Sequence, residues 1–285
     1  MMRRYKVIDA FSAVPLRGNP VAVVLDATDL NDAQMQAIAR WTNLSETTFI
    51  LPPRHPEADY YVRIFTPDRE LPFAGHPTIG SAHAVLEAGI CDANRTQLLQ
   101  ECGVGLIPVA IGHGGTAIDL TLKMPTAEQR PLTADEIQEL ETIIRHPVQK
   151  NPAPSVVNVG AVWIVAELSD IDSLLNLSPD FARSAAFERR LGATGLSLYA
   201  VGPHGIETRS FAPSCGINED PVCGSGNGSI AHFRLCAGQI AHGTQYTARQ
   251  GRKTGRDGHV SVQITPEGIL VGGACVTTVN GTLNL

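Results

Sequence analysis

Two short stretches of this 285-residue chain concentrate side chains able to do acid/base or nucleophilic chemistry. One is Glu70-Leu71-Pro72-Phe73-Ala74-Gly75-His76, the other Glu219-Asp220-Pro221-Val222-Cys223-Gly224-Ser225. In each, a Gly-x pair opens a stretch that reads as a helix. A helix start presents unpaired N–H groups and the positive end of the dipole, which suits an anion such as a carboxylate. The plain alternative for Gly75 or Gly224 taken singly is a tight-turn glycine. A third candidate, Glu46, lies in Asn43-Leu44-Ser45-Glu46-Thr47-Thr48-Phe49, between a helix and a strand. As a solvated loop carboxylate it would do nothing. At the buried mouth of a strand, desolvation would raise its pKa until it could take and return a proton near neutrality. Cys223, at a helix N-terminus, is a candidate base or nucleophile.

The two stretches are copies of one unit. Arg63-Ile64-Phe65-Thr66-Pro67 precedes the first and Arg209-Ser210-Phe211-Ala212-Pro213 the second. Pro72 and Pro221, Gly75 and Gly224, His83 and His232, and Gly89 and Gly238 all stand 149 residues apart (224 − 75). The preceding Pro67 and Pro213 are 146 apart (213 − 67), so the second copy carries three more loop residues, a cheap insertion. In this register Cys223 corresponds to Ala74, which excludes a mechanism with two opposed thiols. His83 and His232 read as satisfied core histidines.

The elements that must position these groups follow from pattern. Helices are expected over 78–88 and in the segment from Gly228 to Ala237, ending at Gly89 and Gly238. Both are apolar on nearly every side, so they belong inside a shell of strands. Strands are expected at 5–10, 21–25, 47–51, 62–65, 105–111 and 117–124, then at 156–159, 162–167, 197–201, 207–211, 260–265 and 270–276. Amphipathic helices are expected at 32–41, capped by Asn31 or Asp32, and at 134–144. The fold class is therefore α+β, with two pseudo-symmetric halves, each a barrel-like sheet around a central helix. The halves are placed at 1–124, joined by a returning strand within 273–285, and at 125–272, with the site expected in the cleft between them.

Composition removes several classes of function. Apolar residues make up 43% and charged residues 18%, which supports packed cores and excludes a disordered chain. A net charge of -6 argues against a nucleic-acid partner. No 18-residue apolar run and no signal-peptide pattern is present, so no membrane partner is expected and the location is read as cytoplasmic. The six cysteines show neither C-x-x-C nor Cys/His pairing at zinc spacing, so neither a disulfide framework nor a metal is indicated.

Asp9-Ala10-Phe11, Gly18-Asn19-Pro20-Val21-Ala22-Val23, Asn43-Leu44-Ser45-Glu46-Thr47, Pro72-Phe73-Ala74-Gly75-His76-Pro77-Thr78 and Glu219-Asp220-Pro221-Val222-Cys223-Gly224-Ser225-Gly226-Asn227, in that order, resemble the PhzF-like phenazine-biosynthesis protein family. The resemblance implies a diaminopimelate-epimerase-like fold and a cofactor-independent isomerase acting on a small molecule, commonly as a homodimer. The family's founding activity is isomerisation of trans-2,3-dihydro-3-hydroxyanthranilate. It further implies that Glu46 is the general acid/base and that Gly75, His76, Gly224 and Ser225 hold substrate polar groups. Asp220 would pair with a substrate amine or hydroxyl, and Cys223 would line the same site. Many relatives carry Thr where this chain has Cys223, and related epimerases and racemases use a catalytic thiol there. That leaves two rivals: an amino-acid epimerase using Cys223 with Glu46, and a small-molecule binding protein that has lost turnover.

Overall fold

The computed structural model describes residues 1–112, 118–203 and 205–285. The expected strand at 117–124 therefore has its first residue, Ala117, outside the described residues. Contacts divide the chain into two compact units, one of Met1–Leu122 with Gly272–Leu285 and one of Lys123–Val271.

The first unit begins with β1 (Met2–Ala10), β2 (Asn19–Val24), α1 (Asp32–Thr42), β3 (Thr47–Leu51), β4 (Tyr60–Phe65) and the short β5 (Glu70–Leu71). Then come α2 (Gly75–Glu87), β6 (Gln97–Cys102), β7 (Gly105–Gly112) and β8 (Asp119–Lys123). β1 and β2 pair antiparallel, β2 and β3 parallel, β3 and β4 antiparallel, β4 and β6 parallel, β6 and β7 antiparallel, and β7 and β8 antiparallel.

The second unit repeats that sequence of pairings. Its strands are β9 (Glu128–Pro131), β10 (Ser155–Val159), β11 (Ala161–Glu167), β12 (Gly195–Gly202), β13 (Gly205–Ala212), β14 (Ile217–Asp220), β15 (Gln245–Gln250) and β16 (Gly258–Thr265). β10 and β11 are antiparallel, β11 and β12 parallel, β12 and β13 antiparallel, β13 and β15 parallel, and β15 and β16 antiparallel. Its helices are α3 (Ala134–Ile144), α4 (Ile171–Leu175), α5 (Phe181–Leu191) and α6 (Gly224–Cys236). The final strand, β17 (Gly268–Asn284), pairs antiparallel with β1 and also with β8. Within the first unit this closes β1, β2, β3, β4, β6, β7, β8 and β17 into an eight-stranded barrel.

The apolar helices sit where their composition demands. Nine of the thirteen residues of α2 are buried. A Cβ on Gly80 would lie 2.3 Å from Val21 Cγ1, so the glycine lets α2 press against the β2 wall. The outer helices carry their own start signals. Asn31 and Gln34 form a capping box on α1, Thr133 and Glu136 another on α3, each of a kind worth about 1 kcal/mol.

Three expectations need correction. The strand expected at 270–276 and the one returning within 273–285 are one continuous β17. His83 and His232 are half-buried rather than core residues: His83 Nε2 meets Thr277 Oγ1 at 3.3 Å and His232 Nε2 meets Cys236 Sγ at 3.4 Å. Strands β6 and β15 lie where the pattern suggested none. β6 reads Gln-Leu-Leu-Gln-Glu-Cys and buries Gln100 completely, so polar residues occupy inward positions and erase the alternation that marks a strand.

Candidate active site

In the first unit, local structure fixes Glu46 from both sides. Helix α1 ends on Asn43 in the left-handed conformation, at φ 54°, which turns the chain back toward the sheet. Thr42 and Thr47 then hydrogen-bond through their hydroxyls at 2.7 Å. The Glu46 carbonyl accepts from Ala22 N at 3.3 Å, and the parallel register of β2 and β3 starts one residue later. Glu46 thus stands at the mouth of β3, with its side chain 14% exposed.

His76, at the second position of α2, brings Nε2 to 3.3 Å from Glu46 Oε2. Burial lowers the ring's pKa to about 3, against the opposing pull of a hydrogen bond to the Pro20 backbone. The imidazole is neutral at physiological pH, so the contact is not an ion pair. Proline has no N–H, so the ring donates to the Pro20 carbonyl. Nε2 makes no hydrogen bond among the described residues, so the donor is Nδ1–H. The lone pair of Nε2 therefore faces Glu46. Gly75 beside it has helical rather than positive φ, and a Cβ there would meet nothing within 4 Å. Neither conformation nor packing demands this glycine, which sets aside the tight-turn explanation and leaves open space at the start of α2.

In the second unit, Cys223 is the N-cap of α6, its sulfur accepting from Gly226 N at 3.3 Å. Ser225 Oγ lies 3.6 Å from that sulfur and accepts from Trp163 Nε1 at 3.0 Å. Burial raises the Cys223 thiol well above its ordinary range, and the neighbouring Asp220 charge adds to the effect. The same burial pushes Asp220 up to about 6, while hydrogen bonds from Cys223 and from Val222 N–H pull the other way. Gly224 is half-buried at the first position of α6.

Pattern reading missed the residues that brace these turns. Gln250 accepts from Cys223 N at 3.1 Å and from Asn227 Nδ2 at 3.0 Å, and donates to the Asp220 carbonyl at 3.0 Å. Gln100 serves the first unit, donating to Thr78 Oγ1 at 2.9 Å and accepting from Tyr60 at 3.0 Å. Their spacing of 150 residues (250 − 100), one off the repeat register, is a signal that could have found them. Glu70 and Glu219, which accompany the turns in sequence, are engaged structurally by two-pronged contacts from Arg63 and Arg209.

Comparison with known proteins agrees with this architecture. The family model described as phenazine biosynthesis-like protein matches residues 8–281. The chain is 38% identical to antisense-enhancing sequence 1 of Schizosaccharomyces pombe, covering 97% of each. It is 36% identical to trans-2,3-dihydro-3-hydroxyanthranilate isomerase of Pseudomonas fluorescens, over 90% of this chain and 88% of the relative. Among solved structures, the PhzF family phenazine biosynthesis protein of Bacillus anthracis superposes with a TM-score of 0.90 at 22% identity, covering 100% of both chains. The repeated unit, the family match along nearly the whole chain and the isomerase relatives lead to one conclusion: this chain is an isomerase and belongs to the phenazine biosynthesis-like protein family.

Proposed function

We propose that this isomerase moves a proton between carbons of a small carboxylated or amino-bearing substrate, with Glu46 as the general acid/base and no cofactor. The observation that carries the reading is the Glu46–His76 contact, a largely buried carboxyl against a neutral ring whose acceptor nitrogen faces it. Glu46 takes a proton from one carbon as carboxylate and returns it to another as carboxylic acid. The substrate is rearranged with no net change in protons or electrons. While Glu46 holds the proton, Nε2 of His76 can accept its O–H, which stabilises the protonated carboxyl until the proton is returned to the substrate.

In this reading Gly75 and His76 hold substrate polar groups in the first unit, Gly224 and Ser225 do so in the second, and Asp220 pairs with an amine or hydroxyl. The trans-2,3-dihydro-3-hydroxyanthranilate isomerases among the relatives make that compound, which carries both a carboxylate and an amine, the first probe to try. The working form in this proposal is a cytoplasmic homodimer with a small molecule as its partner. The rival epimerase reading requires a thiolate at Cys223, and burial beside Asp220 opposes that ion.

The test is turnover in deuterium oxide with that probe and a panel of amino and hydroxy acids, comparing wild type with Glu46→Gln. Loss of about 10² to 10⁴ in rate is expected, the usual contribution of one acid/base group. Near wild-type turnover by Glu46→Gln would remove Glu46 from the chemistry.

A further inference from the structure

Cys223 has no thiol counterpart in the first unit, where Ala74 occupies its place, and its surroundings define a role for it. The indole N–H of Trp163 can only donate, and it reaches Ser225 Oγ at 3.0 Å. Having accepted there, Ser225 has its own proton available toward Cys223 Sγ at 3.6 Å. Gly226 N–H adds a second donor to the sulfur at 3.3 Å. The thiol in turn is hydrogen-bonded to the Asp220 carboxyl, which when ionised can only accept. A donor-only group at one end and an acceptor-only group at the other give the chain a single direction. Gln250 holds its backbone, bridging Cys223 N and the Asp220 carbonyl.

We propose that Cys223 is a positioning residue, the S–H donor of a one-way hydrogen-bond chain running from Trp163 through Ser225 and Cys223 to Asp220, and that it orients the Asp220 carboxyl rather than acting as base or nucleophile. The link from this chain to turnover rests on the reading of Asp220 as a substrate-pairing group, whereas the chain itself does not. Ionising the thiol would reverse the last bond and set two negative charges together in a buried turn. Other charged groups near the turn are already engaged. Glu219, which acts on Asp220 through space, is held by Arg209; Arg249 pairs with Asp257 and Arg252 with Glu207, while Arg256 lies beside Gly251.

The deciding measurement is the titration of the Asp220 carboxyl by carbon-13 NMR, assigned by its absence in Asp220→Asn and independent of any substrate. Cys223→Ser retains a donor of similar reach, and its Asp220 should titrate close to wild type. Cys223→Val, one methyl larger, removes the donor, so the midpoint should rise by about half a pH unit or more. Cys223→Ala should shift it in the same direction and serves if the valine variant does not fold. In turnover, Cys223→Val should lower kcat/KM at neutral pH by about tenfold, with Cys223→Ser recovering most of it. An Asp220 midpoint unmoved by loss of the donor would overturn the proposal, as would a serine variant as inactive as valine. Were Glu46→Gln as active as wild type, the Glu46 reading would fall and the titration would still decide the role of Cys223.

Discussion

Nε2 of His76 stands 3.3 Å from Oε2 of Glu46 and presents a lone pair, because the ring is neutral and its other nitrogen donates to Pro20. Two acceptors at that distance attract only through a proton between them. In the function proposed above, a proton carried by Glu46 would meet that lone pair, so the pair can hold one proton between its removal from substrate and its return.

Burial of neutral His76 makes acid destabilising. Between about pH 6.5 and pH 3 the unfolded chain binds a proton at this residue that the folded protein does not. Stability should fall as pH drops through that window, by up to about 1.4 kcal/mol per pH unit, and be fully present above it. His76→Gln removes the titration, so urea midpoints of the variant should depend less on pH over this range than those of wild type. Parallel profiles would show that His76 is protonated in the fold.

Gly75 and Gly226, at the starts of α2 and α6, should respond oppositely to alanine. Gly75→Ala meets no atom within 4 Å, so thermal stability should hold or rise by up to about 1 kcal/mol, while KM increases as the methyl fills the space at the start of α2. Gly226→Ala would place its Cβ 2.7 Å from Ser197 Oγ and 2.8 Å from Ser210 Oγ, costing about 1 to 3 kcal/mol. Melting curves and Michaelis constants on the two variants check both. An unchanged KM for Gly75→Ala would remove Gly75 from the binding surface.

The repeated Arg–Glu forks should differ in worth despite their equivalence in sequence. Arg209 is 6% exposed and its partner Glu219 14%, and its guanidinium also donates to the carbonyls of Leu174 and Leu177, each at 3.0 Å. Arg209→Met leaves a buried charge and buried acceptors unmet, and should cost about 3 to 5 kcal/mol. Arg63 faces the more exposed Glu70 and Asp32, at 41% and 83%, so Arg63→Met should cost only about 0 to 1 kcal/mol. Equal losses in chemical denaturation would refute the distinction.

The duplicated unit was legible in the chain itself, because a turn that must start a helix under a strand end restricts residue types locally. Pro72 and Pro221 and the apolar helices behind them keep their register for that reason, whereas Gly75, which neither conformation nor packing demands, leaves open space at the start of α2. The inner helices α2 and α6 were legible too, since a helix apolar on every side has only one place to go. Tertiary structure alone decided what each polar group meets. Glu46 and His76 are brought together by α2 packing on β2, Trp163 reaches Ser225 across 62 residues, and Gln100 and Gln250 are buried in strands whose pattern their own polarity disguises. The charge state of a carboxyl, thiol or imidazole depends on desolvation and on partners distant in the chain, so spacing could nominate Glu46, Asp220 and Cys223, while only the folded environment gives each its proton behaviour.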